Sequence, residues 1–194
     1  MGRRQAPIAL LPLERFLGDI SLDLPIGRRK TNRGRVLVVG SGPAGLIAAY
    51  DLCVDGFTVT VQERNEEPGG CLRAIPQRLL PSRILKKELE RFTRSPITFE
   101  LGKECHYNDL ILKNFDFVII ATGEPKASKN PKVSPFSVET DAEDLILVDD
   151  NAATSRASVF AAGGSAGCHG SITEAMASGR LAAQGVARRY LIPL

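Results

Sequence analysis

The chain has 194 residues, of which 43% are hydrophobic and 24% charged, enough to bury one ordinary core and hardly two. Lys plus Arg number 25 against 22 for Asp plus Glu, and the excess sits in GRRQ at the start and GRRKTNRGR further on. With 6% aromatic residues and no Trp, this argues against a nucleic-acid-binding face. No run approaches the roughly 18 apolar residues of a membrane span and the leading arginines precede no signal-peptide core, so no membrane association and a cytoplasmic protein are expected.

The first element, PIALLPLERFLGDISLDLP, is an apolar amphipathic stretch expected to pack as a lead-in helix, with a basic, glycine-containing linker completing residues 1–33. Residues 34–194 then alternate in the α/β manner, which predicts a single doubly wound domain with a mainly parallel sheet. Val36 to Val39 is short and β-branched enough for a buried parallel strand, and it runs into Gly40, Gly42 and Gly45 at GxGxxG spacing. Gly40 permits the tight turn, Gly42 leaves no side chain between backbone and a pyrophosphate, and Gly45 lets the following helix approach the strand. Pro43 suits the first helical turn, where its missing N–H costs nothing, and Ala44 completes the loop. The next strand, FTVTVQER, ends at Glu63, about 20 residues past the glycines, where a carboxylate accepts hydrogen bonds from a ribose diol and disfavours a 2′-phosphate. Strand, three glycines, helix, second strand and terminal acid together specify an adenine dinucleotide site.

Downstream, NEEPGGCLRAIPQRLLP is turn-rich, and SRILKKELERF places Ile84, Leu85, Leu89 and Phe92 on one helical face with Ser82 as its expected N-cap. ITFEL and FDFVIIATG read as strands, the second closing in a turn at Ala121, Thr122 and Gly123. Residues 124–144 are polar, with three prolines, before LILVDD and SVFAAGG resume strand character. The last helix, SITEAMASGRLAAQGVARRYL, is expected to carry Ile172, Met176, Ala183, Val186 and Tyr190 on one side, with Glu174 as a first-turn acid favoured by the helix dipole.

The combination VLVVGSGPAGL, Glu63 with Arg64, GGCLRAIP, VIIATG, VFAAGG and ITEAMASGRLAA resembles the two-dinucleotide-binding-domain flavoproteins, most closely the small subunit of glutamate synthase and its relatives. The resemblance covers most of Leu13 to Leu191, and ERFLGDISLD is similar to the family's link between an iron–sulfur domain and the flavin domain. It implies FAD, with Gly42 to Gly45 on the pyrophosphate and Glu63 on the adenosine ribose. Gly69 and Gly70 would form the turn beside the flavin, Thr122 and Gly123 a backbone approach to the adenine half, and Gly163 with Ile172 and Thr173 the ribityl chain and pyrimidine edge. The chain also departs from the family. About 20 residues, 124–144, stand where relatives insert an NAD(P)H-binding domain, against the roughly 30 that one βαβ unit needs. The iron–sulfur domain is not in this sequence, and Gly164 stands where the family has an aspartate bonded to the flavin's sugar chain.

Few other residues carry chemistry. The cysteines Cys53, Cys71, Cys105 and Cys168 form no CxxC or metal cluster. Cys71 follows Gly70, near the redox cysteine of related disulfide reductases, but Ala74 and Ile75 offer no second thiol, which leaves a buried apolar thiol as the alternative. Cys168 and His169 are candidates to tune the flavin's pyrimidine edge, the alternative being a partly solvated loop. His106 is assigned no role. The favoured reading is an FAD-binding subunit or electron-transfer module of an oxidoreductase, completed by a partner subunit or a second copy covering the flavin. A flavin-binding protein without turnover and a small stand-alone NAD-dependent oxidoreductase are the alternatives.

Overall fold

The computed structural model describes residues 9–21, 26–27, 29, 32–105, 114–125 and 137–191. In chain order the elements are α1 (Leu10–Ser21), β1 (Arg35–Val39), α2 (Pro43–Asp55), β2 (Thr58–Gln62), α3 (Ser82–Thr93), β3 (Thr98–Glu100), β4 (Phe117–Ile120), β5 (Val159–Ala161) and α4 (Ile172–Tyr190). Short 3-10 turns occupy Gly70–Ala74 and Gly163–Ala166.

Val36 to Val39 of β1 and all of β4 are uninterrupted apolar runs because both faces of the sheet are covered: Val36, Leu37, Val38, Val118 and Ile119 are fully buried. The five strands are all parallel, in the order β3-β2-β1-β4-β5, with Val38 opposite Val61 on one side and Ile119 on the other. The chain winds outward from β1 to β3, then returns to lay β4 against the free side of β1. The loops leaving β1 and β4 therefore part toward opposite faces, and a crevice opens at their carboxyl ends. The expected strands Val36 to Val39, Thr58 to Gln62, Val118 to Ala121 and Val159 to Ala161 are all present, joined by β3 at the edge.

One face of the sheet packs on α2 and α4 through Val36, Val38, Val59, Val61, Ile119 and Phe160. The other carries a smaller cluster of Leu37, Val39, Val118, Ile120 and Val159 under Val138 and Ile146. α2 and α4 meet through small residues, and a Cβ at Gly179 of α4 would run into the backbone of Ala44. Arg180 Nε to Asp51, 2.8 Å, ties the same two helices at the surface. α2 ends at Gly56, whose φ of 99° gives a left-handed cap that sends the chain into β2.

Several local expectations are corrected. Ser82 is the first residue of α3, not its cap: Pro81 takes the N-cap position, and no side chain caps this end. LILVDD forms no strand. Ile146 makes an isolated antiparallel bridge to Thr140, while the Asp141 carboxylate accepts from Glu143 N and Leu145 N and that of Asp149 from Asn151 N and Ala153 N. These aspartate turns close the backbone locally, in place of a ladder. On α4 the buried residues are Gly179, Ala182, Ala183, Gly185 and Val186, whereas Ile172, Met176 and Tyr190 are exposed. α1 forms as a helix whose apolar residues stay at the surface: Leu10, Leu13, Phe16, Leu17 and Ile20 are each between 49% and 63% exposed.

Candidate functional site

The three glycines of the β1–α2 loop do different things. Gly40 has φ of 102°, and a Cβ there would overlap the Ala121 carbonyl at the end of β4, while a Cβ at Gly45 would overlap the Gly40 carbonyl. These two make the turn possible and close it against its neighbours. At Gly42, by contrast, no atom lies within 4 Å of a Cβ position, so the loop opens outward there. Gly42 is also the N-cap of α2 and offers no side-chain cap, and Pro43 follows at N1. The first N–H groups of a buried 13-residue helix therefore face the crevice with no side chain on them, an arrangement that favours a phosphate.

Glu63, directly after β2, is 5% exposed, and both its oxygens are occupied. Oε2 accepts from Ser41 N at 3.0 Å and Ser41 Oγ at 2.7 Å, and Oε1 from Asn65 N at 2.9 Å and Asn65 Nδ2 at 2.7 Å. Burial pushes this carboxyl up, but the four hydrogen bonds together outweigh burial and hold it below its ordinary value. The acid is thus kept charged inside the fold. Ser41 is fully buried, and its carbonyl and hydroxyl both accept from Gly69 N, at 3.0 and 3.2 Å. Gly70, with φ of 50°, sits so close that a Cβ would be 2.9 Å from Gly42 Cα. The turn expected beside a cofactor is therefore built against the phosphate loop itself. Ser41 and Asn65 were not among the expected site residues. Their signal is a hydroxyl inside the glycine motif and an amide two residues past the acid.

The loops after β4 and β5 complete the edge. Gly123, with φ of 82°, has nothing within 4 Å of a Cβ position and is open like Gly42. Gly163, with φ of 70°, packs against Ala44, where a Cβ would approach the Ala44 Cβ to 2.9 Å, and its N–H donates to Ser178 Oγ at 3.0 Å. Ser165, buried, donates to the Ile120 carbonyl at 3.2 Å or that of Ala162 at 2.9 Å, fixing this loop to the end of β4. Gly40 to Gly45, Glu63, Gly69, Gly70, Gly123 and Gly163 thus meet at one end of the sheet. Thr122 and Arg64 lie at the same edge and are exposed.

Position 164 has no room for the family's aspartate. A Cβ on Gly164 would lie 2.8 Å from Glu124 N and 2.9 Å from Glu124 Cγ. The Glu124 carboxylate, brought there by the turn after β4, instead pairs with His169 Nδ1 at 3.1 Å, with both side chains more than half exposed. Ile172 and Thr173 are exposed at the start of α4, where Ser171 and Glu174 form a reciprocal capping box. Glu174 is therefore a cap partner as well as a first-turn acid. Cys71 is exposed, not the buried thiol expected, because the 3-10 turn at Gly70–Ala74 carries it on its outer side; Cys168 is half-buried, in keeping with a partly solvated loop. Burial pushes the Cys105 thiol up. His106 lies outside the described residues. Among the described residues no group of three or more His, Cys, Asp or Glu side chains is placed to hold a metal ion, and no helix is long and apolar enough to cross a membrane.

Comparison with known proteins agrees with this geometry. Residues 38–107 match the NAD(P)-binding Rossmann-like domain. The chain is 37% identical over 142 residues to the NAD-dependent dihydropyrimidine dehydrogenase subunit PreT of Escherichia coli K12, covering 69% of this chain and 34% of that protein. It is 34% identical over 131 residues to the glutamate synthase [NADPH] small chain of Mycobacterium tuberculosis H37Rv, covering 63% of this chain and 27% of that protein. The chain thus spans about a third of the length of the first relative and about a quarter of the second. In fold it is similar to THI4 from Thermovibrio ammonificans, with a TM-score of 0.54 at 14% identity over 95% of this chain and 99% of that one. A thioredoxin reductase from Gloeobacter violaceus aligns with a TM-score of 0.50 at 12% identity, over 80% of this chain and 94% of that one.

Proposed function

From the premise that this chain is a homologue, within the FAD/pyridine nucleotide oxidoreductases, of the glutamate synthase small chain and the PreT dehydrogenase subunit, we propose that it is an FAD-binding module of an oxidoreductase, completed by a partner chain. The carrying observation is the convergence at the β1/β4 switch point: an uncapped helix start beside an open Gly42, a charged Glu63 at the end of β2, and a second open glycine at Gly123. These residues fit an extended adenine dinucleotide. Gly42 to Gly45 would take the pyrophosphate, Glu63 the adenosine ribose, and Gly123 the adenine side. Gly69 and Gly70, packed on Gly42, would lie beside the flavin half of an FAD, and Gly163, Ile172 and Thr173 toward its flavin end. When bound, FAD supplies the hydride- and electron-accepting chemistry, and the protein supplies position and field.

The surroundings of the crevice support the partner reading. The described residues between β4 and β5 form turns and isolated bridges and contain no βαβ unit to bring a nicotinamide over a flavin. Ile172 and Met176, at the α4 end of the site, are exposed apolar side chains that a partner subunit or a second copy would cover. Hydride transfer demands reacting atoms about 3 to 3.5 Å apart in alignment, so the isolated, FAD-loaded chain should be reduced by dithionite but only extremely slowly by NADH or NADPH. Anaerobic mixing followed by flavin bleaching tests this. Rapid, saturable bleaching by the chain alone would require a nicotinamide site within it. A second reading, NAD as the sole dinucleotide, is favoured by the match to the NAD(P)-binding domain; a chain that takes up NAD but retains no flavin would establish it.

A further inference from the structure

The hydrogen bonds around Glu63 have a symmetry that bears on how a ribose reaches it. Each carboxylate oxygen accepts one backbone N–H and one side-chain donor from a single residue: Ser41 N and Oγ on Oε2, Asn65 N and Nδ2 on Oε1. A carboxylate has about four lone-pair positions, and here the chain itself fills them on a group only 5% exposed. Two further hydroxyls cannot simply be added. We propose that Ser41 Oγ and Asn65 Nδ2 stand in for the two hydroxyls of an adenosine ribose, and that the ribose binds by exchanging with them one for one. The proposal rests on the adenine-dinucleotide reading above.

The surroundings hold the carboxylate in place through the exchange, and the fully buried Ser41 hydroxyl has to turn to a new acceptor. The two backbone donors stay in place, so the carboxylate keeps its orientation and charge while its side-chain donors leave. Ser41 Oγ also accepts from Gly69 N at 3.2 Å, and Ser41 O accepts from the same N–H at 3.0 Å, so a rotated hydroxyl orphans no donor on the Gly69–Gly70 turn. Asn65 is an exposed residue whose side chain can turn to water. A 2′-phosphate brings negative charge and lacks the hydroxyl proton that replaces either donor, so the exchange selects for a free diol. Ser41 and Asn65 are in this sense residues that compete with the ligand for Glu63.

Removing a competing donor leaves a buried carboxylate oxygen short of a hydrogen bond until the ligand supplies one, so affinity for the diol should rise. The test is calorimetric titration of wild type, Ser41→Ala and Asn65→Ala with ADP, with 2′,3′-dideoxy-ADP and with FAD. Both variants should bind ADP about tenfold tighter than wild type, in keeping with one charge-assisted hydrogen bond, and bind dideoxy-ADP as wild type does. They should also melt lower without ligand and gain a larger thermal shift on adding ADP. Unchanged or weaker ADP binding by the variants, with wild type binding normally, would overturn the exchange and leave the dinucleotide site standing. Binding of neither FAD nor ADP by wild type would overturn the site and the exchange together. Should Ser41→Ala not fold, Asn65→Ala decides alone, since it retains both backbone bonds of residue 65, from its N–H to Glu63 and to its carbonyl from Gly102.

Discussion

Exchanging Glu63 for Gln puts an amide N–H against one of the two backbone donors, Ser41 N or Asn65 N, that the carboxylate now accepts. One donor is left buried and unsatisfied, which should cost about 1–3 kcal/mol in urea unfolding. The same residue sets a pH dependence. Its folded-state carboxyl lies below the ordinary 4.5 at which the unfolded chain protonates, so the unfolded state binds the proton first as pH falls. The stabilisation is complete above 4.5 and is lost as pH drops through the lower folded value. Glu63→Gln should flatten that acid limb, which unfolding curves from pH 5 downward would show. At position 164, Gly164→Asp should destabilise by about 1–3 kcal/mol, because its Cβ meets the backbone N of Glu124, and it should not improve flavin retention. The acid at the end of β2 was legible in the sequence from its distance to the glycines. Its partners were not, because a hydroxyl and an amide near a turn have many possible acceptors and only the fold brings them to one carboxylate.

At the level of elements, the α2–α4 contact depends on residues with little or no side chain. Gly179→Ala should cost about 2 kcal/mol or more, since the added methyl collides with the Ala44 backbone and neither helix can retreat without lifting Val186 and Ala183 from the sheet. Ser171→Ala removes one half of the α4 capping box and should cost about 1 kcal/mol, with the denaturant slope unchanged in both cases. The strands were legible because a parallel strand covered on both faces must be a continuous apolar run, as in Val36 to Val39 and Phe117 to Ile120. The facing of α4 was not. Counting large apolar side chains puts Ile172, Met176 and Tyr190 inward, whereas the buried face is Gly179, Ala182, Ala183, Gly185 and Val186, with Gly179 against the Ala44 backbone and Gly185 against the Asn151 carbonyl and the Phe160 ring. LILVDD failed as a strand for a local reason: composition suits a sheet, but the turns at Asp141 and Asp149 confine its pairing to the single bridge between Ile146 and Thr140.

At the scale of the whole molecule, the sheet order places the loops of the site at one edge and leaves the α1 apolar stripe and the Ile172–Met176 patch at the surface. A lead-in helix was expected from periodicity alone, and periodicity does not say what a helix packs against. The partner reading draws on these same surfaces. The claim on which it all depends is that the switch-point crevice takes FAD. The direct measurement is to incubate the purified chain with excess FAD, desalt it, and read the visible spectrum of the protein fraction beside that of Glu63→Ala. About one flavin per chain, with markedly less on the variant, is the predicted result. A colourless wild-type fraction that nonetheless binds NAD, or a Glu63→Ala variant that keeps its full flavin, would contradict it.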